Sequence, residues 1–140
     1  MPHISPVSES PLLPIQRALF ELLDAELSVP VMDFALEDTP YPYVMIGEAT
    51  EIPDNAHDRY GSDTTHTLHI WTEFEGWSQG LEIEAEMRRL LDHRKESLAV
   101  DGFWVVEIRR EMIRTLRDPN PRLRHVPVTY RVITEQLPAA

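Results

Sequence analysis

The side chains able to do chemistry in this chain are six histidines and 24 carboxylates, with no cysteine beside them. The missing thiol excludes disulfide frameworks, thiolate zinc sites and cysteine nucleophiles together. His66 and His69 stand three apart in an alternating segment, so on a strand they point to opposite faces and cannot share an ion. Asp54, His57, Asp58 and Asp63 crowd one polar stretch and could gather a hard cation. That stretch lacks the glycine turn and fixed ligand order of a calcium loop, so a solvated loop accounts for it better. Glu82 and Glu86, four apart on a helix, have the spacing of a general acid and base, but with Arg89 nearby they read as an outward, solvated face. Five scattered glycines form no phosphate loop, and no serine sits in a nucleophile elbow. The expectation is no enzyme, no cofactor and no metal.

The tryptophans carry a different kind of chemistry. Trp104 shares its strand face with apolar residues and reads as core. Trp71 shares its face with polar residues, so it is either covered by a loop or kept for a partner, because interfaces favour aromatic anchors.

The elements that must position these residues follow from periodicity. Ser10 and Pro11 open a helix in which Ile15, Leu19, Leu22 and Leu23 recur at helical spacing, and Pro30 ends it. Residues 31–36 and 43–48 are short apolar runs that read as strands, and residues 49–63 read as a long exposed loop. Leu68, Ile70, Thr72 and Phe74 alternate with Thr67, His69, Trp71 and Glu73, the period of a strand with one face on a core. Ser78 is placed to cap a second helix reaching about His93, with Ile83, Met87, Leu90 and Leu91 inward and Glu82, Glu84, Glu86, Arg88 and Arg89 outward. From Phe103 a long strand puts Trp104, Val106, Ile108, Met112 and Leu116 on one face and Glu107, Arg109 and Glu111 on the other. "RDPNPR" then turns the chain back into a strand alternating Val126, Val128, Tyr130 and Val132, which Pro127 marks as an edge or a bulge. The order implies an α+β fold: a mostly antiparallel sheet of four to five strands with two helices packed on one face. Residues 1–10 read as an N-terminal arm and residues 11–137 as a single domain.

Length and charge bound the function. A chain of 140 residues supports one ordinary core, and no run of 18 apolar residues or basic-then-apolar start is present, so the chain is expected to stay in the cytoplasm where it is made, with no membrane partner. The net charge is -11, which disfavours binding to a phosphate backbone as the main activity. Residues 1–63 hold two basic residues against twelve acids, whereas seven arginines between Arg109 and Arg131 face only Glu111 and Asp118. Opposite patches on one surface suit head-to-tail contact between copies, although two solvated faces explain the same pattern.

Three segments in order, "PYPYVMIGEAT", "DTTHTLHIWTEFEGWSQGLEIEAEMRRLL" and "RTLRDPNPRLRHVPVTYRVITE", resemble the tail completion proteins of long-tailed phages, also called tail terminators or tail-to-head joining proteins. The resemblance runs from Leu12 to Glu135 and rests on Pro42, Tyr43, Ile46 and Gly47, on the run from Thr67 to Trp71, and on Asp118 with His125 to Glu135. It implies a virion protein of the tail neck, assembled in the host cytoplasm, that caps the tail tube as a ring of six, ends tube growth and docks on the head connector or stopper. Its partners would be copies of itself, the tail tube protein and that head-side protein, with DNA passing through the lumen unbound. On this reading Arg109, Arg117, Arg122 and Arg124 meet acids of the next subunit, the loop with Asp54, Asp58 and Asp63 faces the lumen or a neck neighbour, and Trp71 belongs to an interface. Another neck component, such as a head-closure or connector-binding protein, stands as one alternative. A small-ligand binder using the face of His69, Trp71 and Glu73 stands as another.

Overall fold

The computed structural model describes residues 7–138; residues 1–6 of the expected arm lie outside them. Helix α1 spans Leu12–Glu26 and buries Ile15, Ala18, Leu19 and Leu23, the residues that fall on one stripe at a period of 3.6. Pro11 is the capping residue rather than the first helical one, and the Ser10 hydroxyl accepts from the Leu12 N–H at 3.2 Å. Strand β1 (Val31–Met32) is only two residues long, stopping short of the run to residue 36 that the sequence suggests. Strands β2 (Tyr43–Pro53) and β3 (Gly61–Glu73) follow, then helix α2 (Ser78–Leu91), a single 3-10 turn, and strands β4 (Phe103–Ile113), β5 (Leu116–Arg117) and β6 (Leu123–Gln136).

The sheet runs β1-β2-β3-β6-β4, with β5 continuing beside β6, and is antiparallel except for the β1–β2 pair. Its six strands slightly exceed the four to five expected, because the long strand after Phe103 breaks into β4 and β5. Both helices pack on one face, α1 over β1 and β2 and α2 over β3, β6 and β4. Between them lies the core, built from Val44, Leu68, Ile70, Val126, Val128, Tyr130 and Val132 of the strands against the helix stripes. Gly80 lets α2 lie close to the sheet, since a Cβ there would come within 3.1 Å of Val126 Cγ2.

Several local expectations change. The polar stretch after Ala49 is not a long loop: β2 runs to Pro53 and β3 starts at Gly61, leaving only residues 54–60 as the tip of a hairpin. These residues are held as strand by pairing between β2 and β3, from Ala49↔His66 to Pro53↔Ser62, which a low apolar content does not reveal. Ser78 is the first residue of α2 and makes no cap hydrogen bond; Trp77 takes the cap position. Glu84 is buried instead of outward, because Arg88 donates to its carboxylate through Nε and Nη2, each at 2.9 Å, while Arg110 lies 3.9 Å away. Glu86 also turns back, accepting from the Ser28 N–H at 2.7 Å and hydroxyl at 2.8 Å to fix the chain after α1.

Pro127 lies in a central strand, not an edge. The Arg114 N–H donates to the Pro127 carbonyl at 3.1 Å, so that side of Pro127 faces the gap between β4 and β5. N and O of a strand residue point the same way, so the missing N–H faces that gap too and costs no bond to β3. Trp104 is not core: it is 56% exposed, paired with Glu135 on the helix-free face. Two bulges in β4, with Val106 and Glu111 as the extra residues, break the alternation that placed Trp104, Met112 and Ile108 together.

Candidate functional site: the open face of the sheet

The helix-free face is built from the odd-numbered residues of β3 and β6, because register pairs Thr67 with Thr129, His69 with Pro127 and Trp71 with His125. His66 is on the opposite, core face and is buried, so the two histidines three apart are separated as expected. Burial alone pushes His66 down to about 4, which keeps it neutral, and its Nε2 lies 3.0 Å from the Thr64 hydroxyl.

On the open face three side chains form a relay. His69 Nε2 donates to Glu48 Oε1 at 2.7 Å, and His69 Nδ1 lies 2.7 Å from His125 Nε2. One of these two ring nitrogens donates to the other, the direction being set by the tautomers of the pair. Burial, with His69 and Arg114 adding to it, pushes His125 down to about 4, whereas the bond from His69 holds Glu48 below the usual carboxylate range. Trp71 stacks flat on His125, with ring centroids 4.0 Å apart and planes 4° apart. Trp71 is therefore partly covered, by a histidine and not by a loop.

Glu48 reaches this face through a bulge in β2, where Gly47 and Glu48 together oppose Thr67. Gly47 is required there because the His69 ring lies across it: a Cβ would sit 2.5 Å from His69 Cδ2. Beside the relay opens a cavity of about 330 Å³ lined on its far side by Met112, Arg114, Pro127 and Thr129. The Thr67 and Thr129 hydroxyls are 3.2 Å apart, so one donates to the other and one proton remains to be given elsewhere. Among the described residues no group of three His, Asp or Glu side chains is arranged to hold a metal ion.

The other singled-out residues scatter. Asp63 forms a two-bond ion pair with Arg131, Nε to Oδ1 at 2.7 Å and Nη2 to Oδ2, which lowers the Asp63 pKa. Asp54 and Asp58 are exposed at the hairpin tip. Arg109 pairs within the chain with Glu107 and Glu111, each at 3.5 Å. Arg117 and Arg122 are exposed. Arg124 is not available to a neighbour: it is buried, its Nη1 donates to the Pro121 carbonyl at 2.7 Å, and its guanidinium lies over Trp77. The pairing of His69 with His125 escapes a sequence reading because 56 residues separate them; the signal was their shared phase on two alternating strands. Arg114 was likewise hidden within the basic segment.

The tail completion protein gp17 family matches residues 16–135, nearly the whole described fold. The chain belongs to this family. Among its relatives is the tail completion protein gp17 of Bacillus phage SPP1, 25% identical over 117 residues that cover 79% of this chain and 84% of the phage protein. The fold is shared with a chain in the solved virion of a native gene transfer agent particle, at a TM-score of 0.77 and 17% identity, covering 91% of this chain and 99% of that one. Membership in the tail completion family makes the chain a virion component with a structural role in the tail. No described helix is long and apolar enough to cross a membrane.

Proposed function

We propose that this chain caps the completed tail tube as a ring of six copies, ends tube growth and presents the surface on which the head connector docks, without enzymatic activity. The observation that carries the reading is the family match over residues 16–135. Two features support it. The sheet keeps one face free of helices, with Trp71, Trp104 and Met112 on it, as a partner surface requires. The net charge of -11 suits the wall of a conduit, because a polyanion passes fastest where nothing holds it.

Arg117 and Arg122 are the arginines from the proposed interface that remain exposed, and they meet acids of the next subunit. Head-to-tail contacts close into a ring when the rotation between copies divides the circle, and the proposal takes that closed form. Termination is tested by letting tail tube protein polymerise with and without this chain. Tubes of limited length in its presence support the reading, and tubes that overgrow equally in both cases sink it.

A further inference from the structure

We propose that the acidic tip of the β2–β3 hairpin of one copy docks into the open-face cavity of the next, with Asp54 and Asp58 meeting Arg114. The inference rests on the ring reading and supplies its contact. Asp54 and Asp58 are exposed, and neither carboxylate is ion-paired among the described residues. Arg114 lines the cavity with an exposed side chain that is also without an ion pair among the described residues. The spare proton of the Thr67–Thr129 pair offers a second donor to a carboxylate entering there.

Geometry decides that the partner is another copy. The tip begins at Gly61, paired with Glu135, whereas the cavity centres on His69, paired with Pro127. Eight residues of strand separate those positions, roughly 26 Å at ~3.3 Å per residue. Every residue of β3 is paired along that length, so the hairpin has no freedom to bend back onto its own cavity. Donor and acceptor at opposite ends of one sheet make a heterologous contact, which repeats from copy to copy. The acids near the acceptor leave room for it. Glu48 also lines the cavity, but its carboxylate is held by the His69 Nε2–H at 2.7 Å, and its strand is separated from the β4 side that carries Arg114 by β3 and β6, roughly 14 Å of backbone at ~4.8 Å per strand. Asp118 accepts from the Asn120 N–H at 3.0 Å, and Glu73 lies four residues beyond His69 at the end of β3, across from Leu123.

Two variants test the contact on purified tail tubes: Asp54→Lys with Asp58→Lys, and Arg114→Glu. Each alone sets like charges against each other at every junction and is expected to lower ring occupancy of tube ends at least tenfold. An equimolar mixture alternates the two and restores opposite charges at every junction of an even ring, so occupancy returns. Rings from either variant alone at the wild-type level overturn the docking and leave the ring reading standing, whereas a wild-type protein that forms no ring on tube ends overturns both. Because the chain has no cysteine, Asp58→Cys mixed with Arg114→Cys gives an independent readout. Oxidation of rings from that mixture should yield covalent dimers, and their absence counts against the contact.

Discussion

His66 shows how much one buried base can set. Its folded value of about 4 lies below the ordinary histidine value, so the unfolded chain binds the extra proton as pH falls. Stability is therefore full above about pH 6.5 and is lost as pH drops toward 4, by on the order of 3 kcal/mol from His66. His125, also held at about 4, adds to the loss in the same window. Urea unfolding measured across that window should show the slope, and His66→Gln should flatten it; an unchanged slope would assign the effect elsewhere. Glu84 makes the opposite demand, because a buried carboxylate must keep its partner. Arg88→Met is expected to cost about 2 kcal/mol by the same measurement, and a cost near zero would mean that Arg110 alone suffices.

At the scale of elements, the bulges decide what reaches the open face. Gly47→Ala would drive the His69 ring off its position, so it should break the Glu48–His69–His125 relay and destabilise by about 1–3 kcal/mol. Histidine NMR would show the His69 and His125 resonances shifting together, and unmoved resonances would refute the ring contact. The same bulges mark where the sequence stopped being legible. Alternation placed Val126, Val128, Tyr130 and Val132 inward and set His66 against His69, all as observed. It failed at Trp104 and Met112, because one inserted residue reverses the phase of a strand without leaving any mark on composition. It failed also for the Thr-rich start of β3, which pairs on both sides although little in it is apolar. The relay needed the β3–β6 pairing, and strand order is not written locally in any segment.

For the whole molecule, charge is the organising property. The acids of the first half end in an exposed hairpin tip, while Arg114, Arg117 and Arg122 gather where β4, β5 and β6 turn. Arg117→Glu with Arg122→Glu should leave the monomer folded, since both side chains are exposed, and should prevent ring closure. Reversing Arg124 would instead strip carbonyl partners and the Trp77 contact inside the chain, so its effect should appear as lost stability in the monomer. Circular dichroism of both variants separates these outcomes. A monomer in free solution is compatible with the account, because ring closure must overcome the cost of association and a tube end lowers it. The most direct measurement is light scattering behind a sizing column, with and without purified tail tubes, followed by negative-stain imaging of the tube ends. The account predicts a ring seated on one end of each tube. Bare tube ends, with the protein bound instead to isolated head connectors, would contradict it.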